Sequence, residues 1–277
     1  MLRVSKISTS YSKPALSFVA ALTLFALSPA DADVAQVIPG IGYLERWSAF
    51  SLGSGNGFSL LFGNSDVAGN FGQAGNGRLV MAGSALINGD LYHRSNGAVL
   101  KIGNAAVIGS TFDNQDFVLD DCVKQALAAS NAAFSLTSNR LNTSANLDGN
   151  DNLTITGAPG ETVVLNLKNF VLRGESSFTL EGTATTNFII NVRRKFSLKG
   201  HAQVDLAGVQ WNQVLFNVVG TDHKAFLGGN SVFGGILMAN NRTIEVRRAA
   251  TLSGLVIGNT LKFHGSSRVL HPTVVSQ

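Results

Sequence analysis

Apolar positions between residues 58 and 109 recur with a fixed period instead of simply alternating. Leu60, Val80 and Leu100 are 20 residues apart, as are Val67, Ile87 and Val107. Asn-Gly falls at 56–57, 76–77 and 96–97, followed in register by Gly63, Gly83 and Gly103 and then by Gly69, Gly89 and Gly109. A period of this length over three copies marks stacked repeats. Each copy offers two short apolar segments, around 58–62 and 65–68. Between them stand residues that tolerate the left-handed backbone of sharp corners. One copy cannot bury its apolar side alone. Stacking therefore predicts a β-solenoid with Leu60, Val80 and Leu100 in one inward ladder and Val67, Ile87 and Val107 in another. The β-branched residues, the glycines and the lack of a leucine ladder argue against a leucine-rich or helical repeat.

The pattern breaks near residue 116. Asp116, Asp120 and Asp121 precede Val123, Leu127, Ser130, Phe134 and Leu141, in a stretch without Gly or Pro from 116 to 140. This predicts an amphipathic helix over about 118–140, lying along the solenoid, with its acids at the N-terminus. Residues 142–152 read as a polar loop. Strand-like runs resume at 163–167, 188–192, 214–218, 236–239 and 255–258. Asn166, Asn191, Asn217, Asn240 or Asn259 falls in or just after each. The fold class expected is mainly β: one interrupted, discontinuous parallel β-helix or β-solenoid with a long α-helix packed alongside. Its two halves share one core.

The N-terminus changes the domain picture. Arg3, Lys6 and Lys13 lead a short apolar run at 18–27, and Ala30 and Ala32 form an A-x-A cleavage pattern. Residues 1–32 thus read as a signal peptide, 33–50 as a lead-in and 51–277 as the solenoid domain. The expected location is extracellular, on the cell surface or in the periplasm. The end, His271-Pro-Thr-Val-Val-Ser-Gln277, shows no apolar tail or sorting motif. Cys122 is the single cysteine. No internal disulfide is available, so rigidity has to come from a repetitive hydrogen-bonded sheet. Cys122 is expected to be a packing residue and not a nucleophile.

The stretch Asn64-Ser-Asp-Val-Ala-Gly69 and the repeats after it resemble the bacterial choice-of-anchor A group. So do Asn187-Phe-Ile-Ile-Asn-Val192, Phe196-Ser-Leu-Lys-Gly200, Val214-Leu-Phe-Asn-Val218 and Gly234-Gly-Ile-Leu-Met-Ala239. That group is similar in turn to ice-binding adhesins with a discontinuous β-solenoid and a helix along one side. The resemblance covers about 55–270. It implies an extracellular, adhesive, non-catalytic module.

Catalytic and metal chemistry find little support in the residue pattern. His93, His201, His223, His264 and His271 show no paired ligand spacing, and Cys122 has no Cys partner. Asp148-Gly-Asn-Asp-Asn152 lacks the Gly and Glu that a calcium loop requires. Gly53-Ser-Gly-Asn-Gly57 lacks a phosphate-binding lysine. Asp205, Asp222 and Glu245 form no compact acid pair in sequence. No catalytic residue, metal or cofactor is assigned. A basic bias is visible from Asp151 onward, where 12 Lys/Arg face 7 Asp/Glu, against 6 and 9 over 33–150. Arg193, Arg194, Lys195, Arg247 and Arg248 are the candidates for contact with an anionic surface such as a glycan or lipopolysaccharide. Solvated, aggregation-blocking edges explain the same residues.

The expected function is a secreted or cell-surface adhesive or structural module that binds a surface polysaccharide, another cell or itself. Nucleic acid is not expected as a partner. Ice binding is the alternative and a polysaccharide-active enzyme the second alternative. Thr154-Ile-Thr156 and Thr183-Ala-Thr185-Thr186 do not recur with the coil period. Cations near the corners would also disturb ordered water. Both points count against ice.

Overall fold

A computed structural model describes residues 42–53, 58–140 and 144–271. The expected signal peptide and cleavage site, most of the lead-in, Asn56-Gly57, Leu141 and residues 272–277 lie outside the described residues.

The chain winds as a parallel β-solenoid with three faces. One coil runs from Ser59–Gly63 on face A to Asp66–Ala68 on face B and Asn70–Gln73 on face C. The 20-residue repeat therefore holds three strands, not the two apolar segments read from the sequence. The third (Asn70–Gln73, then Leu91–His93, then Thr111–Phe112) carries too few apolar residues to register as a repeat. Pairing is parallel and in register: Leu60 lies against Val80 and Val80 against Leu100, and Val67 lies against Ile87 and Ile87 against Val107.

The corners explain the glycine column. Gly63, Gly83 and Gly103 have φ near +75° and stack on one another, with Gly265 next in the same column. A Cβ on Gly83 would lie 3.1 Å from the Gly63 carbonyl oxygen. Arg248 occupies this column beside Gly265, with φ of 64°.

One of the two ladders has the opposite parity to that expected. Val67 and Ile87 are fully buried and Val107 packs against the same core. Leu60, Val80 and Leu100 point outward on face A, and Leu100 is 46% exposed. Leu61, Leu79 and Met81 fill the core instead. Strands 59–63 and 78–83 are apolar on both sides, so alternation does not declare which side is inside.

Helix α1 (Asp116–Ser135) interrupts the winding and lies over face C. It is shorter than the expected 118–140. After Ser135 the chain turns extended, and Asn139 bonds Val164 and Thr162 at the margin of face C. The helix buries Leu119, Cys122, Ala126, Ala129, Ser130 and Ala133. Leu127 and Phe134, expected on its packed side, are exposed. Face C presents large side chains (Val164, Ile189, Leu215, Ile236, Leu255, Ile257), so small helical residues let the two surfaces approach. Cys122 is buried as expected, and burial pushes its thiol pKa up.

Winding resumes at Ala145–Leu147, a face A strand inside the segment expected to be a polar loop. Several later strands bend round corners without a break, as in Val232–Arg248 and Thr251–Gly265. The last coil pairs on one side with the coil before it and on the other with the N-terminal coils: Phe50 lies against Ile257, Leu61 against Phe263 and Val67 against Val269. One hydrophobic core thus runs through both halves.

Candidate functional site

The three faces differ in what they offer to a ligand. Face C is occupied by the helix. A ladder of asparagines holds it there. Asn166, Asn191, Asn217 and Asn240 donate to the helix-side carbonyls of Leu136, Ala133, Ser130 and Ala126 at 2.8–3.1 Å. Asn191 also donates to Asn166 and Asn217 to Asn191, each at 2.9 Å. Four of the five asparagines seen at successive strand ends are therefore clamps on α1, while the Asn259 carbonyl accepts from the Gly53 N–H and the Ser51 hydroxyl.

Face B is open. On three consecutive five-residue rungs, Asn152–Thr156, Ser177–Glu181 and Gln203–Ala207, three outward columns line up in register: Asn152, Ser177 and Gln203; Thr154, Thr179 and Asp205; Thr156, Glu181 and Ala207. Ser177 donates to Asn152 at 2.7 Å and Thr156 to Glu181 at 3.3 Å, which fixes these side chains. Burial pushes the Asp205 carboxyl pKa up. Thr251 and Ser253 continue the columns on a later rung. Arg268, a cation on this face, pairs with Asp66 at 3.8 Å. Thr154 does recur, as Thr179 on the next coil. The second threonine group has another role: Thr183 and Thr186 knit a corner, where the Gln213 amide donates to the Thr183, Ala184 and Thr186 carbonyls.

Face A is divided. Its early rungs are apolar, with Phe58, Leu60, Phe62, Val80, Leu100 and Ile102 outward. Its later rungs are basic. Of the five candidate cations, Lys195 and Arg247 lie here, joined by Lys199, Lys224 and Lys262. Arg193 instead turns toward α1, 5.5 Å from the Phe134 ring. Arg194 is exposed at the same corner, and Arg248 is exposed at the corner toward face B. Glu245, 3% exposed, ion-pairs with Lys224 and Arg247. Burial acts to raise its carboxyl pKa, but these two cations outweigh it and hold it below the ordinary range.

Arg242 belongs to none of these surfaces. It is buried, and its guanidinium donates to the carbonyls of Gly220, Arg194, His223, Arg193 and Val219. Desolvation pushes its pKa down. It staples the 219–223 loop to the corner beside it.

No group of three or more His, Cys, Asp or Glu converges as a metal site among the described residues. Asp205 and Glu245 lie on different faces. His201 is exposed in a turn, whereas His264 is half-buried in a face A strand; burial and then Arg247 push its pKa down. Asp148-Gly-Asn-Asp-Asn152 is a corner in which Asp148 pairs with Arg173 at 3.0 Å. No helix among the described residues is long and apolar enough to cross a membrane.

Residues 48–271 match the model of a family described as an ice-binding-like adhesive domain. No match was found among curated proteins. Among solved structures, an ice-binding protein from an Antarctic Flavobacteriaceae bacterium superposes with a TM-score of 0.60 at 20% identity, over 86% of this chain and 48% of that one. A glycosylated ice-binding protein from an Arctic yeast gives 0.55 at 15% identity, over 87% and 96%. One from the Antarctic ascomycete Antarctomyces psychrotrophicus gives 0.51 at 16%, over 84% and 98%. At these identities the likeness is one of fold.

Proposed function

The chain belongs to the ice-binding-like adhesive domain family, and from that premise we propose that it is a non-catalytic surface module that binds ice through face B. One observation carries this reading. Face B is the uncovered face whose outward side chains are mostly short and uncharged, and they stand in register along stacked parallel strands. Short, mutually bonded Asn, Ser and Thr side chains lose little freedom when they fix water. Long lysines and arginines would lose more and hold their own hydration shells. The solved structures with this fold include ice-binding proteins of bacterial, yeast and fungal origin.

The threonine objection weakens on this geometry, and the cation objection bears on the corners and face A more than on face B. Thr154 and Thr179 align on neighbouring rungs, and the later-coil cations other than Arg268, which pairs with Asp66, lie on face A or at corners. The expected export to the cell surface fits an adhesive role. The test is thermal hysteresis and ice-crystal shaping by the purified protein. Faceted crystals and a hysteresis gap are expected. Thr154→Tyr with Thr179→Tyr should abolish both while leaving the denaturation midpoint near wild type. Round, unshaped crystals grown in the presence of folded wild-type protein would refute ice binding.

A further inference from the structure

The basic half of face A gathers cations around one outward aromatic ring. Phe226 points outward at its centre, half-buried, while its neighbours Ala225 and Leu227 enter the core. The ammonium groups of Lys199 and Lys224 stand 5.6 and 5.4 Å from its ring centroid. Two open depressions flank the ring. One, of about 360 Å³, is lined by Lys195, Lys199, His223 and Lys224. The other, of about 300 Å³, is lined by Lys199, Gly228, Gly229, Arg247 and Arg248. Gly228 makes room for the ring: a Cβ there would lie 2.6 Å from it.

The charge here is only partly compensated. Lys195, Lys199, Lys224, Arg247 and Lys262 share this stretch of the face with one carboxylate, Glu245, which is buried and already paired. The exposed Asp222 lies on the loop before Lys224. An aromatic ring offers a platform to the C–H face of a pyranose, and cations on both sides suit its acidic substituents. We propose that this surface binds an acidic polysaccharide, with the sugar ring on Phe226 and its carboxylates or sulfates on Lys195, Lys199, Lys224 and Arg247. The site is independent of the ice reading, because it lies on another face.

Oligogalacturonate titrated into the purified protein by calorimetry tests this directly, with a neutral glucan oligosaccharide and single-stranded DNA as comparisons. Binding to oligogalacturonate is expected, weakened by added salt as exposed charge contacts are screened. Lys195→Gln with Lys199→Gln, and separately Phe226→Ala, should each lower the affinity by about tenfold or more. Thr154→Tyr with Thr179→Tyr on face B should leave it unchanged. Should Phe226→Ala fail to fold, the two exposed lysines carry the test. Absence of binding, equal binding of the neutral glucan, tighter binding of single-stranded DNA, or indifference to the lysine variant would each overturn the proposal. Absence of ice shaping by the wild-type protein, with oligogalacturonate binding retained, would overturn only the face B reading.

Discussion

Asn217 and Ser130 are bonded to each other twice: the Asn217 amide donates to the Ser130 carbonyl at 2.9 Å, and the Ser130 hydroxyl donates to the Asn217 amide oxygen at 2.7 Å. Both residues are buried. The same amide also donates to Asn191. Asn217→Ala should cost about 2–3 kcal/mol, since it breaks several buried hydrogen bonds and strands their partners. Asn217→Asp should cost more, because a carboxylate cannot donate to the helix carbonyl. Urea denaturation of both variants checks this. Equal, small costs would mean that the helix rests on face C by apolar packing alone.

The parity of the ladders gives a paired prediction. Ile87 is fully buried between Val67 and Val107, so Ile87→Ala should cost about 2–5 kcal/mol. Val80 faces outward, so Val80→Ala should cost less than about 1 kcal/mol. Equal losses on chemical denaturation would contradict the placement of Val80.

Arg242 satisfies five carbonyls from one buried side chain, a task suited to the planar fork of a guanidinium. Lysine has three donors on one nitrogen and leaves carbonyls unmet. Arg242→Lys should therefore destabilise by about 2–4 kcal/mol although charge is kept. Hydrogen exchange should show the 219–223 loop opening first. An unchanged midpoint would show that the staple is dispensable.

The Glu245 carboxyl is held below its ordinary pKa in the folded state because Lys224 and Arg247 outweigh the effect of burial. A depressed folded-state pKa contributes stability above the unfolded value and loses it as pH falls through the folded value. Glu245→Gln should be less stable than wild type near neutral pH, and the two should converge on acidification. Denaturation midpoints from about pH 7 to about pH 3 span the carboxylate range and would show the convergence. Parallel curves would remove Glu245 from the acid response.

The coil period and the corner glycines were legible in the sequence because identical backbone corners demand Gly at fixed intervals. Val67, Ile87 and Val107 were legible for the same reason. Leu60 and Leu61 were not separable, since both sides of that strand are apolar. The later coils change length: Leu153, Phe178, Val204, Phe233, Leu252 and Val269 occupy one column at uneven spacing. That unevenness hid the match of Thr154 with Thr179. It also hid the approach of Phe226 and Lys224 to Lys195 and Lys199, a grouping of aromatic and cations that sequence distance does not suggest. The asparagines at strand ends were visible, but their partner, the helix backbone, carries no side-chain signature.

The last coil, 251–270, stacks between the earlier coils of its own half and the N-terminal ones. A nascent chain therefore presents residues 47–68 long before the rung they rest on has been synthesised. Pairings this distant in sequence are slow to form. The solenoid should close only after synthesis is nearly complete. The same order makes the seam between Phe50 and Ile257 the place where a stalled or truncated polypeptide would expose a strand edge to its neighbours.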